Sequence, residues 1–271
     1  MKKKLIVGGC SFTDKNLVSD TNPEYDCSFP KWPEILAKKL DMDCINLGAS
    51  GAGNNLIYST LIDQIIRTPK EEIGFAIASW SQVQRDDWQE YNIYTPKTSS
   101  HKDLNYDNMV WRNKRLYREG NIFYWFIDQL RRYVSFQQLC KSYNIPYKQF
   151  QMLSPFDGYL NGLQKTDWEI FNGLDDPDFQ KRYDYDSTLE TIQLDRNYLT
   201  KILLKQEKYI DTDNFIGWPP LPYVGGFAIE QKVLMYENLE TRYDLIISEY
   251  DFHPNKEGHQ LLAEYIYGQL V

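Results

Sequence analysis

This sequence of 271 residues is poor in the residues that most often carry metal and redox chemistry. It has three histidines and four cysteines, and the cysteines lie far apart, without the paired spacing of a zinc site or a redox motif. We therefore expect reduced thiols, no resident metal and no other cofactor. The sequence also lacks flexible linkers, low-complexity tracts and repeats, which predicts a single domain over residues 1–271.

Long hydrophobic runs are absent as well. The apolar stretch after the lysines at 2–4 ends at Val7, which is too short for a signal peptide, so we expect a cytoplasmic location on synthesis. No later stretch approaches the ~20 apolar residues of a membrane span. The net charge of -8 disfavours a nucleic-acid or polybasic membrane role, and solubility is the simplest reason for it.

Aromatic residues, by contrast, are abundant, at 15% of the chain. Tyrosine and tryptophan present an apolar face with a polar edge, so a surface that stacks on sugar rings is one interpretation. A large core with aromatic-rich insertions is the simpler one. We predict such insertions into the domain at about 86–120 and 156–230.

Short apolar strands alternate with amphipathic helices along the chain. The pattern predicts strands at 5–7, 44–47, 75–78 and 147–153, and helices at 32–40, 56–65, 122–140 and near the end of the chain. Alternation of this kind predicts an α/β fold with a parallel sheet between helical layers. Ligands of such sheets bind beyond the carboxyl ends of the strands, where Ser11, Gly51 and Ser81 are all expected.

The turn after the first strand, Gly8-Gly9-Cys10-Ser11-Phe12-Thr13, is suited to presenting a serine hydroxyl. Its glycines let the backbone turn sharply. Taken alone, the turn leaves two interpretations open, a nucleophile or the start of a helix. Cys10 is a rival nucleophile, but a side chain just before the tip points back into the sheet, so we expect its thiol in the core.

Of the histidines, His253 is the best placed to act as a general base. Pro254 restrains its neighbour to extended geometry, so the imidazole projects from a loop. Asp251 lies two residues earlier and is able to orient the ring, as the acid of a Ser-His-Asp triad does. The competing interpretation of this segment is a helix entry with Asn255 as N-cap, and both can hold at once.

Other titratable side chains have structural explanations. His101 lies in a polar loop, and His259 lies inside the last helix, where we expect packing or capping. For Arg85, Asp86 and Asp87, which follow the third strand, solvated or structural ion pairs are expected. No cluster has metal-ligand spacing, and no glycine-rich loop matches a phosphate or dinucleotide site.

Several blocks together resemble the SGNH (GDSL) hydrolase superfamily, and particularly its branch common in tailed bacteriophages. They are the Gly-Cys-Ser-Phe-Thr turn at 9–13, Trp-Pro-Glu-x-Leu-Ala at 32–37, Asn46-x-Gly48-x-Ser50-Gly51 and His253-Pro254-x-x-x-Gly258-His259. The resemblance covers roughly the first 85 and last 25 residues. It implies a three-layer α/β/α sandwich with a parallel five-stranded sheet of flavodoxin-like type.

By this resemblance, Ser11 is the nucleophile, His253 the base and Asp251 the acid, and the N–H groups of Ser11 and Gly51 are oxyanion donors. The family's third donor is an asparagine in a Gly-x-Asn-Asp block. This chain has Ser79-Trp80-Ser81-Gln82 there, which makes Ser81 or Gln82 the candidate.

The chain departs from the family in two further places. Cys10 stands where the family usually has aspartate, and Tyr250 stands where the acid more commonly lies, three residues before the histidine. Asp251 has the spacing of many phage-type sequences. Glu249 is the alternative acid.

The implied activity is hydrolysis of a small acyl ester, such as an O-acetyl group on a carbohydrate, through an acyl-enzyme. The altered third block supports a second hypothesis, a non-catalytic structural or receptor- or carbohydrate-binding component of a phage particle, in contact with other virion proteins. The two hypotheses differ in whether Ser11 reacts.

Overall fold

The computed structural model describes residues 2–91, 109–114, 121–156, 189–236 and 242–270. Its strands are β1 (Lys4–Gly8), β2 (Asp43–Asn46), β3 (Ile73–Trp80), β4 (Asp86–Tyr91), β5 (Met109–Lys114), β6 (Tyr147–Gln151), β7 (Phe215–Ile216), β8 (Ile246–Ser248) and β9 (Asp251–Pro254). Its α-helices are α1 (Trp32–Lys39), α2 (Asn54–Arg67), α3 (Ile122–Tyr143), α4 (Leu189–Gln206) and α5 (Lys256–Gly268).

Five of the strands form one sheet in the order β2-β1-β3-β6-β7, and every pair in it is parallel. Numbered within the sheet alone, this is the 2-1-3-4-5 order of flavodoxin-like folds. The strand order reverses between β1 and β3, and the ligand crevice of such folds lies beyond the carboxyl ends of the strands at this point. The predicted parallel sheet is confirmed.

Helices cover both faces of the sheet. On one side α1 contacts α5, and on the other α3 contacts both α2 and α4. Successive side chains of β6 point to opposite faces of the sheet. Phe150 packs on Trp32 of α1, with ring centroids 5.8 Å apart. Gln151 accepts a hydrogen bond of 2.7 Å from Tyr133 of α3 on the other face. The three-layer α/β/α arrangement is therefore confirmed. In the described ranges, every helix is too short or too polar to cross a membrane.

The edge strand β7 lies within the segment 156–230, for which sequence analysis predicts an insertion. Phe215 of β7 packs edge-on against Tyr133 of α3, with ring centroids 4.9 Å apart. The described part of this segment therefore completes the sheet and, through α4, one helical layer. Residues 157–188, and residues 92–108 and 115–120 of the other predicted insertion, lie outside the described residues.

The antiparallel strands β4 and β5 form a separate pair, and the second residue of β4 caps a helix. The N-cap of α2 is Gly53, which has no side chain to satisfy the first N–H groups of the helix. Asp87 supplies the missing acceptor: it is 1% exposed, and its Oδ1 accepts a hydrogen bond of 2.8 Å from the N–H of Leu56. Asp87 is therefore a buried helix cap, where the sequence predicted a solvated or structural ion pair.

We predict that Asp87→Ala lowers the free energy of unfolding by about 1–2 kcal/mol, because the start of α2 loses its capping carboxylate. Urea unfolding followed by circular dichroism measures the change. The matched control is Asp63→Ala on the same helix, whose side chain is exposed. Equal stabilities of the two variants would contradict the capping role.

Candidate active site

The turn that follows β1 presents Ser11 at the carboxyl edge of the sheet. The N–H groups of Thr13 and Asp14 both donate to the carbonyl of Cys10, at 2.8 and 3.1 Å, which closes the turn around Ser11. Glycine is required at position 9, because a Cβ there would lie 2.2 Å from Thr13 Oγ1. The Cys10 side chain is fully buried, as predicted, and burial raises the pKa of its thiol.

The hairpin of β8 and β9 presents the other predicted residues. Asn255 caps α5 by accepting a hydrogen bond of 2.9 Å from the N–H of Gly258. Its amide donates at 2.7 Å to the carbonyl of Asp244, just before β8. One side chain thus starts the helix and holds the hairpin against it, which confirms the predicted cap. The strand β9 carries both Asp251 and His253.

Ser11, His253 and Asp251 are in direct contact. Ser11 Oγ lies 2.8 Å from His253 Nε2, and His253 Nδ1 lies 2.5 Å from Asp251 Oδ1. An ionised carboxylate only accepts hydrogen bonds, so Nδ1 carries the proton and Nε2 is left as the acceptor for the Ser11 hydroxyl. The structure therefore gives the imidazole the tautomer that a general base requires.

Asp251 is buried, with 6% exposure. Burial acts to raise the pKa of its carboxyl, but the hydrogen bonds from His253 and Ser19 outweigh it and bring the pKa to about 2. Asp251 is therefore ionised beside the ring. Glu249 and Tyr250, the other positions considered for an acid, are exposed to solvent.

The loop after β2 packs against the Ser11 turn. Asp14 Oδ2 accepts hydrogen bonds from both the N–H and the hydroxyl of Ser50, at 2.9 and 2.8 Å. Asn46 Nδ2 donates at 2.7 Å to the carbonyl of Thr13. Gly48 lies so close to the same turn that a Cβ would come within 2.6 Å of the Thr13 carbonyl carbon. These contacts hold the two loops together at the edge of the sheet.

Gly51 follows directly in this loop and has a φ of 74°, in the left-handed region that favours glycine. Within the described part of the chain, the N–H groups of Gly51 and Ser11 donate no hydrogen bond. Both predicted oxyanion donors therefore lie on loops that contact each other, with their N–H groups unoccupied.

Ser81 directly follows β3, as predicted, but its side chain is not accessible. It is fully buried, and its N–H donates at 2.8 Å to Oδ1 of Asn54. Its hydroxyl is also buried and has no hydrogen-bond partner among the described residues. The alternative, Gln82, is 6% exposed, and its Oε1 accepts a hydrogen bond of 2.8 Å from Arg85 Nε. In this conformation the structure does not open Ser81 to a ligand.

Asn54, which sequence analysis did not select, explains this placement. Besides accepting from the N–H of Ser81, it donates through Nδ2 to the carbonyls of Ser81 and Gln82, at 3.1 and 3.2 Å. As the first residue of α2, it ties that helix to the end of β3. The only signal in the sequence was an asparagine after a glycine-rich turn, and this pattern indicates a helix start equally well.

His259 is a packing residue, as predicted. It is fully buried, and its Nδ1 accepts a hydrogen bond of 3.2 Å from the N–H of Trp32 at the start of α1. Burial, together with the positive charge of Lys31, lowers the pKa of the imidazole to about 3. The third histidine, His101, lies outside the described residues. In the ranges described, no three His, Cys, Asp or Glu side chains are grouped to hold a metal ion.

Neither known family models nor curated proteins match this sequence. Among solved structures, it is similar to a protein assigned to the G-D-S-L lipolytic family from Desulfitobacterium hafniense DCB-2, with 15% identity, a TM-score of 0.46 and 99% of each chain covered. It is also similar to the psychrotrophic esterase EstA from Pseudoalteromonas sp., inhibited by monoethylphosphonate, with 9% identity, a TM-score of 0.46, and 99% of this chain and 96% of that one covered.

We predict that His259 makes stability depend on pH. Its folded-state pKa of about 3 lies below the ordinary value of 6.5, so the unfolded chain takes up the proton first as the pH falls. The contribution of the neutral His259 imidazole to stability is full above pH 6.5 and is lost between pH 6.5 and about pH 3. Between pH 6.5 and 5 the loss is about 2 kcal/mol.

Urea unfolding at a series of pH values measures this loss. The variant His259→Gln keeps a hydrogen-bond acceptor for Trp32 but does not titrate, so its stability should vary less over the same range. Parallel curves for the wild type and the variant would show that His259 does not cause the dependence.

Proposed function

We propose that this protein is a serine ester hydrolase of SGNH type that works through an acyl-enzyme. The observation that carries the proposal is the continuous contact from Ser11 Oγ through His253 to Asp251. Residues from opposite ends of the chain form it, at the sheet edge where ligands of this fold class bind. Such an arrangement of nucleophile, base and orienting acid is recognised by its geometry.

In the proposed reaction, Ser11 Oγ attacks the ester carbonyl while its proton moves to His253 Nε2. Asp251 stabilises the imidazolium that forms. When the tetrahedral intermediate collapses, the C–O bond to the alcohol breaks and Nε2 returns the proton to the alcohol oxygen. A water molecule, deprotonated by the same nitrogen, then attacks the acyl-enzyme, and the acid leaves as Ser11 regains its proton.

The N–H groups of Ser11 and Gly51 are the proposed donors to the oxyanion. The position of Ser81 leaves no third donor from that residue in this conformation. Loss of one such donor costs about 3–4 kcal/mol of transition-state stabilisation in a well-studied protease. We therefore expect a slow hydrolase compared with enzymes that have all three.

A small acyl group is the proposed substrate, with an O-acetyl group on a carbohydrate as the example. Ser11 is only 7% exposed, and the ring of Phe12 lies 5.1 Å from that of His253, so the surroundings of the nucleophile are close-packed. A short acyl chain requires less room beside Ser11 than a long one. The abundance of tyrosine and tryptophan supports a sugar as the alcohol part.

We predict that Ser11→Ala and His253→Ala each lower kcat for p-nitrophenyl acetate by at least about 10³-fold, because the nucleophile or its base is lost. Initial rates measure the effect. The matched control is Ser28→Ala, which removes an exposed hydroxyl from the segment between β1 and α1. Turnover that survives in Ser11→Ala would rule out the proposed mechanism.

We also predict that kcat/KM falls as the acyl chain lengthens, by about tenfold or more from acetate to octanoate, since a long chain meets a close-packed surface. A series of p-nitrophenyl esters from two to ten carbons tests this. Ser28→Ala should give the same profile. An increase with chain length would indicate a lipid ester instead.

The second candidate is a non-catalytic SGNH-like component of a phage particle that binds a receptor or glycan. The burial of Ser81, which removes a proposed oxyanion donor, favours it. It predicts no Ser11-dependent turnover on any ester of the series, with retained binding of glycans in a microarray. The retained Ser11, Asp251 and His253 contacts favour the hydrolase.

A further inference from the structure

The segment 14–31, which joins the Ser11 turn to α1, contains a second residue that contacts the acid. Ser19 is 1% exposed, and its hydroxyl donates a hydrogen bond to Asp251 Oδ2. Its oxygen also accepts a hydrogen bond of 2.9 Å from the N–H of Asn22. Because both hydrogen-bond partners are in place, the buried Ser19 hydroxyl has a fixed orientation. One of these partners is the carboxylate of Asp251.

The proton directions follow from the chemistry of the groups. The N–H of Asn22 only donates, so it occupies a lone pair of the Ser19 oxygen. The carboxylate of Asp251 only accepts, so the single proton of Ser19 points to Oδ2. The other oxygen, Oδ1, accepts both the backbone N–H and Nδ1 of His253, at 3.1 and 2.5 Å. Ser19 therefore donates to one carboxylate oxygen of Asp251, and His253 donates to the other.

We propose that Ser19 is a positioning residue that fixes the rotation of the Asp251 carboxylate and, through it, the tautomer of His253. It acts through Asp251, to which it donates its one proton. Without its donor, Oδ2 is a buried acceptor with no partner, and the carboxylate can turn about its Cβ–Cγ bond. Nδ1 of His253 then loses the fixed acceptor that keeps the proton on it.

A purely structural explanation is that Ser19 only fastens the 14–31 segment to the hairpin of β8 and β9. That role changes the free energy of unfolding but leaves the imidazole as it is. A positioning role changes the imidazole itself. The kinetic part of the test rests on the proposed function, and the spectroscopic part does not, because it observes His253 directly.

The experiment compares Ser19→Ala and Ser19→Cys with the wild type. Cysteine fills the place of the serine hydroxyl with a somewhat larger sulfur atom and is only a weak donor, so it serves if the alanine variant does not fold. Ser19→Thr restores the hydroxyl and should recover the wild-type behaviour. Thr21→Ala is the control, since it removes an exposed hydroxyl two residues away in the same segment.

On p-nitrophenyl acetate we expect kcat to fall about tenfold in Ser19→Ala and Ser19→Cys, with KM unchanged, because a hydrogen bond to a charged group is lost. In nuclear magnetic resonance spectra of protein labelled with ¹⁵N-histidine, the Nδ1–H signal of His253 should weaken or shift in both variants. Only three histidines contribute to these spectra, so assignment through His253→Ala is direct.

Unchanged kcat and an unchanged Nδ1–H signal in a folded Ser19→Ala protein would overturn the proposal. If the wild type hydrolyses no ester, the proposed function fails, and the signal of His253 alone decides the role of Ser19. If the wild type is active and only the signal responds to Ser19→Ala, while kcat does not, the proposal fails at its kinetic step.

Discussion

The candidate site depends on the hydrogen bond between Asp251 and Nδ1 of His253, because it decides which ring nitrogen holds the proton. With that proton fixed, Nε2 faces Ser11 as an acceptor, 2.8 Å from its hydroxyl oxygen. The bond in turn depends on the ionised state of a buried carboxyl. Hydrogen bonds from Ser19 and His253 offset the cost of burying that charge.

The other constraint is the convergence of separate loops at one edge of the sheet. The strand order places the loops after β1 and β2 side by side, and Asp14 joins them through two hydrogen bonds to Ser50. The hairpin of β8 and β9 is outside the main sheet, and Asn255 holds it at the start of α5. The site therefore depends on tertiary contacts between these loops rather than on one helix or strand.

The sequence predicted the residues whose local pattern is distinctive. Ser11 lies in a glycine-rich turn after a strand, and His253 precedes a proline, and both patterns restrict the backbone locally. Asp251 was found by its spacing to His253. The parallel sheet and its flanking helices followed from the alternation of apolar segments in the same way.

The sequence did not predict the positions of residues that are fixed by partners far away in the chain. Ser81 was expected to face a ligand, but Asn54, which lies 27 residues away in the chain, holds its backbone inside the protein. Ser19 had no local pattern to mark it, and its partner Asp251 is 232 residues away. The strand β7 has only two residues, too few for any periodicity.

The most direct measurement of the central claim, that Ser11 is an activated nucleophile, is covalent labelling with a fluorophosphonate followed by peptide mapping in a mass spectrometer. We expect one adduct per chain, on the peptide that contains Ser11, with loss of fluoride and no adduct in His253→Ala. An unlabelled wild-type protein, or adducts spread over several serines, would contradict it.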